Sequence, residues 1–516
     1  MCKCPNDTVG NTKTTIDAQN LGNALYIGTD DIVFEMSGFV LTNGHFQIDS
    51  NALGGAVSLT GGMIFMYFTD MLIQNSSGLG GGGIMINPPG GGSNNFVVLE
   101  NTLISHNTAA VGGGVYCYNS VLYVADNSGV VDNHTTADSA TDWGQGGGLY
   151  LKGCLASFFG GPGLSEPEHL VGISNNSATG SGGGIYADNS IIRTQDGPAE
   201  YDSSLSIDHN TANTDLNAIG DGGGVYLLNS GIDIYRLFIH DNKVVNGHGG
   251  GLYLDDSIIG SETDSPSYNS CYANGHTECN LFADNSAIAS LDSPLPGFSS
   301  YGGAIYMFES GMSAEGDSLR ARFINNSADY GSALLLADST LDVQGSYFIN
   351  NVAQEDVFAV FGGSVLNLNF STVANNFSNH VFRVATASTV NLFGSIIYEA
   401  FAFNIPILTG DGTFDFGCSI FHENDSIGFV SAIGGSTVSQ NPGFISEETG
   451  NYHLRYDSIA IDRCSDGGLT NLAKDIDLDI RGLDFPGVNN GFQGNYDAGA
   501  DEVKVNDLIF ADGFEM

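Results

Sequence analysis

Basic residues are scarce in this chain: 14 Lys and Arg stand against 58 Asp and Glu over 516 residues, a formal charge of −44. That shortage excludes nucleic-acid binding, because neutralising phosphates needs clustered cations. Long apolar runs are missing too, and nothing approaches the ~18 residues of a membrane-spanning helix. The opening Met1-Cys2-Lys3-Cys4-Pro5-Asn6 lacks the apolar stretch of a secretory leader. Catalytic fingerprints are absent as well. There is no GxSxG elbow and no HExxH, and the GxG strings are followed by neither GK[ST] nor a helix-forming segment. What is present narrows the class further. With 31 Phe and 21 Tyr the chain is too rich in aromatics for intrinsic disorder. Its 72 Gly disfavour a helical bundle, since each Gly inside a helix costs roughly 1 kcal/mol. A long, acidic, β-rich chain remains.

One phrase recurs. It reads GGGIMI at Gly81–Ile86, GGGVYC at Gly112–Cys117, GGGLYL at Gly146–Leu151, GGGIYA at Gly182–Ala187, GGGVYL at Gly222–Leu227, GGGLYL at Gly249–Leu254 and GGAIYM at Gly302–Met307. A second phrase, ending in Asn and a small residue, precedes most copies: SHNTAA around Asn107, SNNSAT around Asn176, DHNTAN around Asn210 and HDNKVV around Asn242. After the glycines the first and third positions are apolar, as in Val115 and Cys117 or Leu252 and Leu254, which predicts a short strand with one buried face. Tyr116, Tyr150, Tyr186, Tyr226, Tyr253 and Tyr306 hold the second position and point the other way. So short a strand cannot bury itself, but copies stacked in parallel register bury every first and third position. Gly supplies a corner needing φ > 0 or close backbone approach. Asn tolerates the left-handed region best among the other residues, and stacked Asn amides can bond from rung to rung. The expected fold is all-β, a parallel β-helix with loop insertions of varied length.

These phrases resemble polymorphic outer-membrane protein repeats, and SGFVLTNG at Ser37–Gly44 followed by GGAV resembles the usual entry of such helices. The resemblance implies a right-handed parallel β-helix displayed on a bacterial surface. A second resemblance lies further on. Asn441-Pro442-Gly443-Phe444, GNYHL at Gly450–Leu454, SIAID at Ser458–Asp462, KDIDLDIRG at Lys474–Gly482 and NYDAGADE at Asn495–Glu502 together look like a choice-of-anchor Q domain. The chain departs from that pattern at Ile459, Arg463-Cys464 and Leu478. The final Asp507–Glu515 is similar to a terminal signature of exported Gram-negative proteins. The implied organisation is a lead-in over 1–30, repeats over 31–456, a choice-of-anchor Q-like segment over 457–503 and a tail over 504–516. Both C-terminal features imply export, so a leader is expected to have preceded this start.

Eight cysteines fit an oxidising compartment. Cys271 and Cys279 flank a polar insertion and form the candidate disulfide, whereas Cys117 reads as a small buried hydrophobe. Asp475, Asp477 and Asp479 alternate before Arg481. Such a run can chelate Ca²⁺, and its structural alternative is an Asp that caps a turn or pairs with Arg481. The six Tyr form a candidate surface for sugars or aromatic ligands, the alternative being that they stack on one another or lie under loops. Arg320 and Arg322 could serve a polyuronate lyase or clip acidic neighbours, but a strongly negative rod repels a polyanion. The expectation is a secreted or cell-surface β-helix of a Gram-negative-like bacterium. It is read as a monomer that needs no cofactor and acts in adhesion on glycans or surface proteins of a host or its environment. A polysaccharide hydrolase or lyase is the alternative.

Overall fold

Between Phe96 and Ala125 the chain makes one circuit that shows how the rest is built. Phe96–Glu100 runs to a corner at Asn101, Leu103–Ser105 to a corner at His106-Asn107, and Val115–Tyr118 to a corner at Asn119. Val121–Ala125 then lies parallel to Phe96–Glu100 in direct register. Each circuit thus adds one strand to each of three parallel sheets, which is a parallel β-helix. This computed structural model describes residues 13–46, 53–88, 94–125, 127–136, 143–159, 170–194, 204–214, 219–234, 236–260, 280–289, 298–313, 318–399, 407–421, 438–469, 475–477, 479–485 and 494–503. Among them there is no α-helix. They fall into two compact units. One lies within Met1–Gly260, Ala283–Tyr306 and Ser327–Asp329, the other within Ser261–Phe282, Met307–Asn326 and Tyr330–Met516.

In the first unit the parallel pairing starts with Thr14–Asp17 against Phe39–Thr42. The period-two pattern has the consequence expected of it. Val115, Leu149, Ile185, Val225 and Leu252 stack inward, as do Cys117, Leu151, Ala187, Leu227 and Leu254, all without solvent exposure. The glycine phrase serves two ends. Gly182 has φ +67°, and a Cβ on Gly183 would lie 2.3 Å from the carbonyl oxygen of Gly223 on the next coil. Cys117 is buried as the pattern implies, but it is not a free thiol: it forms a disulfide with Cys154. Cys154 occupies the corner that Ser190, Ser230 and Ser257 hold on later coils, where each backbone N–H donates to the next hydroxyl at 3.0 Å. Cys271 and Cys279 lie outside the described residues, as does the tail from 504.

The asparagine corner divides its labour between two neighbours. The first takes the left-handed backbone, with φ of 54° at Asn175 and 55° at both His209 and Asp241. The second is buried and forms a ladder. Asn107, Asn133, Asn176, Asn210 and Asn242 each donate a side-chain amide to the Oδ1 one coil on, at 3.0–3.1 Å. Their backbone N–H groups reach the same oxygens. The remaining amide proton bonds a carbonyl one coil back, as from Asn176 to Val130 at 2.8 Å.

The second unit repeats the scheme. Its ladder runs Asn326, Asn351, Asn376 and ends on the buried Glu399, whose two oxygens accept from the backbone and the amide of Asn376 at 2.7 and 2.8 Å. The sheet containing Tyr347–Ile349, Thr372–Ala374 and Ile396–Tyr398 is buried on both faces. Phe348, Val373 and Ile397 point into the coil, while the outward residues pack under the chain from Phe444 to Val503. That segment begins with an antiparallel pair, Phe444–Ser446 and Asn451–Leu454. It is tied down by the Cys418–Cys464 disulfide, by Tyr398 donating to Glu447 at 2.6 Å and by the Ala500 N–H donating to Thr372 Oγ1 at 3.0 Å.

Asn176→Ala would leave the backbone N–H of Asn133 buried without its acceptor, at about 1–3 kcal/mol, and would remove one of the three acceptors of the Asn133 amide. A clear drop in the urea midpoint is therefore expected. Asn175→Gly, one residue earlier, keeps the left-handed corner and is expected to leave the midpoint nearly unchanged.

Candidate functional site

Direct register places Tyr116, Tyr150, Tyr186, Tyr226 and Tyr253 opposite one another on successive coils. Insertions between copies do not break the column. Successive ring centroids through Tyr306 are 5.2, 5.2, 5.0, 5.0 and 4.8 Å apart, with planes within 6°. This is the strand spacing of about 4.8 Å expressed in aromatic rings. Each interior ring covers its neighbours' faces, which leaves the rings half-buried and Tyr253 buried. Burial pushes the Tyr116 phenol up to about 12 and those of Tyr226 and Tyr253 further up. Beyond Tyr306 the stack continues into His248, which also lies against Phe298. Burial pushes the His248 imidazole down to about 4, so this ring is neutral at pH 7.

Two features interrupt the column's uniformity. Near its start, Tyr116 and Tyr150 line a cavity of about 200 Å³ together with Leu79, Met85, Val111 and Trp143. Trp143 is 42% exposed there. The cavity is smaller than the ~300–1,000 Å³ of sites that enclose a small molecule, so it suits one ring held at a surface. Further along, Tyr226 donates to Asp255 at 3.5 Å. Asp221 is pushed up to about 7 by burial and then by the charge of Asp255, and Asp255 is itself raised by burial and by Asp256.

The alternating aspartates lie in the second unit and have separate partners. Asp475 is buried. One oxygen accepts the N–H groups of Asp477 and Asp479 at 3.0 and 2.6 Å, and the other accepts that of Glu502 at 2.9 Å. Asp477 accepts from Arg322 at 2.8 Å and lies 3.4 Å from His453, which also bonds Asp501 at 3.1 Å. Arg320 reaches the Asp475 carbonyl at 3.3 Å. The two arginines therefore meet the aspartate run itself, 155 residues away. A Ca²⁺ ion here would have to displace Arg322 and the three N–H groups on Asp475. Asp497, Asp501 and Glu502 likewise accept backbone N–H groups, those of Asp462, Leu454 and Gly482 among them. Buried carboxylates thus satisfy a backbone that has almost no regular pairing.

Sequence reasoning passed over Trp143, Asp221 and Asp255, which stand outside the repeated strand letters. It also passed over His209, His240 and Asp241, although the phrases DHNTAN and HDNKVV already set His and Asp beside ladder asparagines.

A parallel β-helix with a tyrosine column and paired corner residues defines the structural class. Within it, the model of the Chlamydia polymorphic membrane protein repeat matches residues 173–188. That stretch runs from Ile173 through the corner Asn175-Asn176 and the turn at Gly182 to the strand Ile185–Asp188, one set of the elements that make a coil. No curated protein matches the chain. No helix among the described residues is long and apolar enough to cross a membrane.

Asp501 holds the His453 imidazole up, to about 9. A group raised in the fold stabilises fully below its ordinary value of about 6.5, and loses that contribution as pH rises through 9. Burial raises Asp475 and Glu502 to about 7, so their contribution is complete below the ordinary carboxylate range and lost as pH rises through 7. All three signs agree. Amide exchange across 453–503, corrected for intrinsic rate, is expected to accelerate between about pH 4 and pH 9, and His453→Gln is expected to flatten the upper half of that rise.

Proposed function

We propose that this chain is an exported, cell-surface β-helix of a Gram-negative-type bacterium that works by contact, binding neutral glycans or glycosylated surface proteins. The observation that carries the reading is the open aromatic cavity, where exposed Trp143 stands beside Tyr116 and Tyr150. Flat rings with polar edges match the apolar face and hydroxyl rim of a sugar, and a charge of −44 favours neutral over acidic chains. The polymorphic membrane protein repeat supports the surface location. Residues 457–503 are read as a choice-of-anchor Q-like module, 504–516 as an export signature, and the whole as a monomer. Trp143 is the chain's single tryptophan, so its emission reports this cavity alone. Neutral oligosaccharides are expected to shift that emission, and Trp143→Ala is expected to abolish retention on a glycan surface without altering the melt. Retention equal to wild type would reject the cavity as the contact.

One observation favours a second reading. The charge of Asp255 raises Asp221, and both act on the neighbouring Tyr226 and Tyr253; a pair of carboxyls is the catalytic set of a glycoside hydrolase. Sugar released from a neutral polysaccharide, and lost in both Asp221→Asn and Asp255→Asn, would move the assignment to that activity.

A further inference from the structure

We infer that His209, His240 and Asp241 form a binding site for a divalent transition metal of the zinc class on the outer edge of the first unit. His209 and Asp241 hold the left-handed corner position on adjacent coils, each just before a ladder asparagine, and His240 ends the strand Leu237–His240. One ligand atom from each residue lies within 4.8 Å of the others. Two imidazoles and a carboxylate are a donor set that such ions favour, with further coordination positions left to solvent or a partner.

The proton inventory points the same way. Asp208 is buried, and its carboxylate accepts from Ser174 at 2.5 Å, Ser206 at 2.8 Å and His209 Nδ1 at 2.9 Å. His209 therefore donates Nδ1–H to Asp208 and turns Nε2 toward Asp241 Oδ2, 4.0 Å away. Ser206 has given its only proton to Asp208, so at 3.2 Å it accepts from His240 Nε2. The other ring nitrogen, Nδ1, faces the same Asp241 oxygen at 2.9 Å. Nε2 of His209, Nδ1 of His240 and Oδ2 of Asp241 thus face one another at the edge of two adjacent coils, close enough for one cation to be held by all three. Asp208 and Ser206 stand as outer partners that fix each ring's tautomer and orientation, the arrangement metal-binding histidines commonly have.

Two other places lack part of this set. His106 and Asp132 approach to 3.8 Å on earlier coils with no second histidine. In the second unit, His453, Asp477 and Asp501 cluster similarly, but Arg322 already supplies the positive charge.

The test is calorimetric titration of the full chain with Zn²⁺, with Co²⁺ as a spectroscopic substitute. His209→Asn and Asp241→Asn are suitable variants, because Asn175 holds the equivalent corner with nearly the same φ; His240→Gln is the third. Saturable one-to-one binding is expected. Each histidine variant is expected to weaken it by more than the roughly 10–100-fold typical of losing an outer partner. The Co²⁺ spectrum of the wild-type chain should show nitrogen ligation, which keeps the test valid if a variant folds poorly. Absence of saturable binding overturns the inference. So does binding that persists in His209→Asn and His240→Gln, or that is lost instead in His453→Gln.

Discussion

The structure depends on how a buried corner satisfies its backbone. Where a coil turns from one sheet to the next, its N–H groups leave the ladder of strand pairing and water is excluded. An unsatisfied group there costs as much as several apolar contacts return. An asparagine amide meets the need because it donates and accepts at once, so one residue per coil serves its own turn and the next. Aligned amides also polarise one another. With the corner fixed, strand length, register and the stacking of like on like follow, and the tyrosine column is a by-product of that register.

Repetition of this kind leaves chemistry free at the neighbouring position. The left-handed residue before each ladder asparagine must tolerate φ > 0, a condition met by Asn, Asp and His more readily than by others. These are also residues that accept hydrogen bonds and bind metals. A conformational requirement therefore fills an exposed stripe with coordinating groups, and the lengths of the intervening circuits decide which of them become neighbours.

Much of this was legible in the letters. The alternation in GGGVYL and its relatives predicted the buried strand, the glycine phrase predicted the sharp close-packed turn, and Asn176 could be read as a rung before any coordinates. Contacts between distant segments were not legible. Nothing near Asp477 announces Arg322, and the resemblance that marked residues 457–503 as a closing module did not say which surface they would cover. That surface had a signal in Tyr347–Ile349 and Ile396–Tyr398, which are apolar on both faces and so require cover outside as well as inside. The Cys117–Cys154 pairing stayed hidden because Cys154 stands where other coils place serine.

Glu399 adds a last point. Every ladder amide in the second unit passes its proton toward higher residue numbers, so the row is polar, and its forward end carries unspent positive character at Asn376. A carboxylate answers that end electrostatically and, having no proton to hand on, cannot propagate the chain. One acid thus acts as a terminator: it sets the number of rungs in the row, and a ladder begun on another molecule would find no donor there from which to continue.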